Sequence, residues 1–188
     1  EATTLRIQAS TEAAGIFDVP AQYECLSQLA NTEASVSLRE ISRSPEMFEK
    51  TYSMAEKRGV DIQHILYDAD EVTALLQKFD KGEIPEQNRR AIFVLGRYAQ
   101  NQQSSIADLT AFLDSMGDNQ LRWSVCAFGQ AEHDCLLAAL ELGGHARIGF
   151  ENNCLAPDGQ VFDSNEASVA AFVDRAAKAG FSPVRGAL

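Results

Sequence analysis

The chain has 188 residues, 45% hydrophobic and 23% charged, which is enough for one ordinary globular domain with a core of its own. Its 16 basic and 27 acidic residues leave a formal charge of −11, and the basic ones are scattered. That surface disfavours nucleic acid and anionic membrane as partners and favours a small molecule.

The first β-type run is "LRIQAS", from Leu5, followed by Ser10, Thr11 and Glu12. Asp18 as an N-cap and Pro20 in the first turn predict a helix over 19–30. "ASVSLRE", from Ala34, is the second strand and runs into Arg39 and Glu40, and Ser44 with Pro45 opens the next helix. "DIQHILYD", from Asp61, and "AIFVLGR", from Ala91, are the third and fourth strands. Ile106, Leu109, Phe112 and Leu113 then give an apolar helical stripe, and "GDNQ" a turn. "RWSVCAFG", from Arg122, is the fifth strand, with Ala138, Ala139 and Leu142 on the face of the helix after it. "HARIGFEN", from His145, is the sixth, ending in Glu151, Asn152 and Asn153, and "APDG" is a turn. Cys25, Cys126, Cys135 and Cys154 show no C-x-x-C pair and no Cys/His metal spacing, so buried free thiols are expected.

Six strands starting on average 28 residues apart, each followed by a helical pattern, imply repeated β-α units and a parallel sheet. An open doubly wound sheet and a (β/α)8 TIM-type barrel both fit. Nearly every strand ends in polar chemistry, which favours the barrel, where ligand residues come from the C-terminal ends of many strands. A whole barrel needs about 250 residues, so six units leave two missing, and residues 1–188 are expected to form one domain, three quarters of a barrel. Its strands should lie in sequential order, with Glu12, Arg39, Arg97, Gln130 and Glu151 gathered at one end. Homo-oligomerisation is expected to cover the remaining apolar wall. Without an eighteen-residue apolar run or a signal-peptide pattern, the expected location is the cytoplasm.

"RWSVCAFGQAEHD" followed by "GGHARIGFENN" resembles the last two strands of the β-keto acid cleavage enzymes, and "LRIQASTEAAG", "ASVSLREI" and "VDIQHILYD" fall where that family has its third, fourth and fifth. The resemblance implies a zinc-dependent barrel that converts a β-keto acid and acetyl-CoA into acetoacetate and a new CoA thioester. It implies zinc bound by a His-x-His pair on the second strand and by a glutamate that matches Glu151. His64, His133 and His145 stand singly. The units carrying the first two strands, about 60 residues on the barrel-length argument, are therefore expected upstream of this sequence, unless the chain is a remnant.

By the same resemblance, Arg147 is the catalytic arginine near the substrate carboxylate, while Ser10 and Thr11 form the hydroxyl-bearing turn that contacts substrate. Strand alternation puts 147, 149 and 151 on one face, so Arg147 and Glu151 are expected to point the same way. Glu12, Arg39 and Glu40 are expected to contribute to substrate specificity, the alternative being surface ion pairs. The family's aspartate in the proton-transfer machinery is Asn152 here, and an amide cannot take up a proton, so either Glu12 or Glu40 takes over, or a different activation step is used, or the activity is altered. A non-catalytic barrel fragment that has lost its metal is the alternative reading.

Overall fold

The computed structural model describes residues 7–30 and 32–183, so Leu5 and Arg6 of the first predicted strand lie outside the described residues. The strands are β1 (Gln8–Ser10), β2 (Glu33–Ser37), β3 (Asp61–Leu66), β4 (Arg90–Leu95), β5 (Arg122–Ala127) and β6 (His145–Ala146). The helices are α1 (Val19–Gln28), the short α2 (Leu38–Ile41), α3 (Pro45–Arg58), α4 (Ala69–Asp80), α5 (Ile106–Met116), α6 (Glu132–Glu141) and α7 (Asn165–Lys178). All strands join one parallel sheet in the order β1-β2-β3-β4-β5-β6. No switch point interrupts that order, so the open doubly wound arrangement is excluded.

The described residues fall into two compact units. The first comprises the described residues within 1–92 together with 114–122, and the second those within 93–113 and 123–188, the division passing through β4.

In the first unit the sheet has two chemically different faces. Parallel register sets Gln8 beside Glu33 and Ser10 beside Ser35, then Glu33 beside Asp61 and Ser35 beside Gln63. Because side chains alternate along a strand, these polar residues share one face. Gln8 there donates to Gln63 at 3.3 Å, and Gln63 to the Ala91 carbonyl at 3.2 Å. At its N-terminal end, the nearly buried Arg90 guanidinium lies 3.8 Å from Glu33 and also pairs with Asp61. The opposite face carries Ala34, Val36, Ile62 and His64, all essentially inaccessible to solvent. His64 stacks on Tyr52 of α3 at 5.8 Å and meets the edge of Phe79 of α4 at the same distance.

In the second unit, Phe93 of β4 stacks against Phe112 of α5 at 4.8 Å and Trp123 of β5 at 5.5 Å. Gly144 permits close approach here, since a Cβ would lie 2.2 Å from the Trp123 ring.

The helix caps follow the sequence. Asp18 accepts from the Ala21 amide at 2.9 Å and Ser44 from that of Met47 at 3.5 Å, each followed by proline at the first turn. On α5, Leu109 and Phe112 are buried but Ile106 is half exposed, and Leu142 is exposed just beyond α6. Only Cys126 and Cys135 are buried thiols, whereas Cys25 and Cys154 are exposed, which corrects the expectation for those two. The largest departure is β6. It contains only His145 and Ala146, and its last backbone contact is the Arg147 amide to the Val125 carbonyl at 2.9 Å. Residues 149–152 then form a turn closed by the Asn152 amide donating to the Gly149 carbonyl at 2.8 Å.

His64 supplies a test of this packing. Its Nδ1 lies 2.8 Å from the Arg90 carbonyl and burial pulls its pKa down to about 4. Between the ordinary value of 6.5 and 4 the unfolded chain binds a proton that the folded chain refuses, so stability falls as pH is lowered through that window. Urea unfolding at pH 7 and 4.5 should show roughly 2 kcal/mol more acid destabilisation in the wild type than in His64→Gln. Equal acid sensitivity of the two proteins would contradict the neutral, buried imidazole.

Candidate functional site

In the first unit, the polar residues following β1, β2 and β3 are already paired with one another. The Ser10 hydroxyl accepts from the Glu12 amide at 3.3 Å, and the Thr11 hydroxyl donates to the Ser35 carbonyl at 3.3 Å. Glu12 is exposed and accepts from the Tyr67 hydroxyl. Arg39 lies over the Tyr67 ring at 4.5 Å and donates to Asp68 at 2.8 Å and to Glu71. Glu71 also accepts from the Tyr67 amide at 2.6 Å, and burial raises its pKa against the opposing effect of Arg39. Glu40 is 6% exposed, and its Oε2 accepts from the Ala13 amide at 3.2 Å and from Gln22 at 3.1 Å. It therefore holds the loop between β1 and α1, whereas Arg39 sits in a partly exposed ion-pair cluster. Tyr67, Asp68 and Glu71 are the members of this cluster that the sequence did not single out as site residues.

The second unit carries the stretch after β6. Arg147 donates from Nη2 to Glu151 Oε1 at 3.1 Å. Their proximity does not come from strand alternation, because Glu151 lies in the turn at 149–152. Gly149 makes the arrangement possible: the Glu151 carboxylate folds back over it, and a Cβ at that position would lie 1.9 Å from Oε2. Asn152 is 7% exposed, its carbonyl accepts from the Gly129 amide at 3.3 Å, and neither polar atom of its side chain has a partner among the described residues. Gln130, just after β5, donates to the Pro157 carbonyl at 2.9 Å. Arg97, after β4, lies over the Phe128 ring at 5.1 Å.

A further carboxyl belongs to this region. Glu132, in the first turn of α6, is fully buried; its Oε2 accepts from Asn153 at 3.3 Å and its Oε1 has no partner among the described residues. Burial pushes its pKa up to about 7, against the Asn153 hydrogen bond and the lowering influence of the Gly149 backbone. The Glu151 charge raises it further, while that of Arg147 lowers it. Its only sequence signal was an acidic residue within the amphipathic pattern after β5, which reads as a solvated helix face.

Among the described residues no group of three or more His, Cys, Asp or Glu is placed to hold a metal ion. Glu151 thus offers one oxygen ligand, where a zinc site ordinarily takes three or four from protein. The described residues therefore do not by themselves fit a zinc site.

The profile of the beta-keto acid cleavage enzyme family matches residues 1–187. The chain belongs to this family. Membership implies an enzyme that cleaves β-keto acids, hence one that works on small molecules. A search of curated proteins finds no match to the chain. No helix among the described residues is long and apolar enough to cross a membrane.

The raised pKa of Glu132 predicts a stability effect opposite in sign to that of His64. A carboxyl whose pKa is raised from 4.5 to about 7 adds stability below pH 4.5 that is lost as pH rises through 7. With a chelator present, Glu132→Gln should gain on the wild type by roughly 3 kcal/mol between pH 4 and pH 8 in denaturant titrations. A gap independent of pH would show that the wild-type carboxyl titrates normally.

Proposed function

We propose that this protein is a zinc-dependent β-keto acid cleavage enzyme, which converts a β-keto acid and acetyl-CoA into acetoacetate and a new CoA thioester. The observation supporting this reading is the turn after β6, which sets Arg147 3.1 Å from Glu151 in a chain matched to the family over residues 1–187. On this reading the six β-α units are strands three to eight of an eight-stranded barrel. The polar face shared by Gln8, Ser10, Glu33, Ser35 and Gln63 would line its interior.

Arg147 would hold the substrate carboxylate through its planar, forked donors, exchanging its intramolecular partner Glu151 for the ligand. Glu151, released from that pair, would be one ligand of a zinc ion whose remaining ligands lie outside the described residues. Bound zinc would supply a Lewis acid beside the keto oxygen. Ser10 and Thr11 would orient substrate oxygens, with Arg39 and Glu40 shaping specificity. Asn152 can donate and accept hydrogen bonds but cannot exchange a proton at neutral pH. The proton is therefore assigned to Glu12, an exposed carboxylate hydrogen-bonded by Tyr67.

Two measurements test this reading on the full-length protein. Arg147→Lys keeps the charge but loses the fork, and should cut turnover of a responsive β-keto acid with acetyl-CoA at least tenfold, about 1.4 kcal/mol of transition-state stabilisation. Acetoacetate release across a panel of short β-keto acids is the assay, and no turnover by zinc-loaded wild type would end the lyase assignment. In elemental analysis Glu151→Gln should lower zinc content below that of the wild type, since an amide oxygen is the poorer ligand. Equal zinc content would remove Glu151 from the ligand set.

A further inference from the structure

Four buried side-chain polar atoms of the second unit, one on α6 and three in the stretch after β6, lack partners among the described residues: Glu132 Oε1, Arg147 Nε, and both amide atoms of Asn152. Buried polar groups are normally hydrogen-bonded, so such a concentration calls for an explanation. The stretch is also tied down by specific contacts. The Glu132 amide donates to the Gly129 carbonyl at 3.0 Å, and the Gly129 amide donates to the Asn152 carbonyl at 3.3 Å. Glu132 Oε2 accepts from Asn153 Nδ2 at 3.3 Å, and Asn153 in turn clamps Leu155 through a donated bond of 2.7 Å and an accepted bond of 3.0 Å.

We propose that Glu132 is a positioning residue, which anchors the 149–153 turn through Asn153 and so sets where Arg147 and Glu151 stand. A carboxylate directly behind the turn is a costly way to fill space. Leucine would occupy a similar volume without burying a polar oxygen that has no partner. What leucine cannot do is accept the Asn153 hydrogen bond. Losing it would leave Asn153 Nδ2 held by the Leu155 carbonyl alone, with one buried N–H lacking an acceptor, and free the turn to take other conformations. Misplacement of a substrate-binding group by about an ångström is enough to cost a large factor in rate. The functional consequence rests on the β-keto acid cleavage reading, whereas the anchoring of the turn does not.

The experiment compares wild type, Glu132→Gln and Glu132→Leu in the full-length protein. Glutamine retains an acceptor of the same reach, and leucine removes it. Amide hydrogen exchange across residues 149–153 should quicken at least tenfold in Glu132→Leu and stay within threefold of wild type in Glu132→Gln, with both variants remaining folded by circular dichroism. Steady-state kinetics on a responsive β-keto acid should follow the same order, kcat/KM falling at least tenfold in Glu132→Leu and returning to within threefold in Glu132→Gln. Unchanged exchange at 149–153 in Glu132→Leu overturns the anchoring role, as does Glu132→Gln behaving like Glu132→Leu. Should the wild type turn over no β-keto acid, the lyase reading fails, and the exchange comparison alone decides the role of Glu132.

Discussion

Parallel pairing in chain order is the constraint on which the rest depends. A chain cannot return to start a parallel neighbour through a tight turn, so each crossover needs a long connection, and here helices supply them. Within each unit the strands therefore release their last residues in the same direction. In the first unit that brings Thr11 onto Ser35 of β2 and Glu12 onto Tyr67, just after β3. In the second it brings Gly129 to Asn152. Chemistry is concentrated at strand ends because the backbone leaves its short connections there.

The two units use their polar groups differently. In the first, the Arg39 guanidinium is shared between Asp68 and Glu71 and stacks on Tyr67, and Glu40 accepts two hydrogen bonds from its surroundings. A ligand contacting these side chains would have to displace bonds already made. Around the turn after β6, by contrast, Asn152 presents a donor and an acceptor with no partner among the described residues, and Glu132 an acceptor. Buried hydrogen-bonding capacity that is already desolvated binds a complementary polar atom at less cost than a solvated group, so polar recognition is favoured around this turn.

Strand order and helix starts were legible in the sequence because both rest on local chemistry. β-type runs located the first five strands to within a few residues, and Asp18 and Ser44 capped α1 and α3 as their side chains dictate. The stretch from Arg147 to Asn152 was misread because its apolar and polar residues alternate like a strand. What ends the strand is a backbone bond from Asn152 to Gly149 and a glycine that leaves room for the Glu151 carboxylate. Neither has a periodic signature. Arg147 and Glu151 do meet, as an ion pair formed through this turn and not through strand alternation. Glu132 was illegible in another way: a glutamate on an amphipathic helix normally faces water, and only the tertiary packing of α6 buries it.

Asn152 and Glu132 make more sense together than apart. The resemblance leads one to expect an aspartate at 152, a position that is 7% exposed in a turn that also carries Glu151. With Glu132 already buried beside the same turn, an aspartate would add a second buried carboxyl, with Glu151 as its neighbour in the chain. Like charges at such range oppose each other's ionisation, and each would also bear its own desolvation cost. Arg147 is a single cation already paired with Glu151, so it could not compensate all three. An amide at 152 keeps the shape and hydrogen-bonding reach of aspartate without the charge. An amide at 152 is thus compatible with a buried carboxyl at 132, and the local charge balance is one cation facing Glu151 and a Glu132 whose protonation is set chiefly by burial.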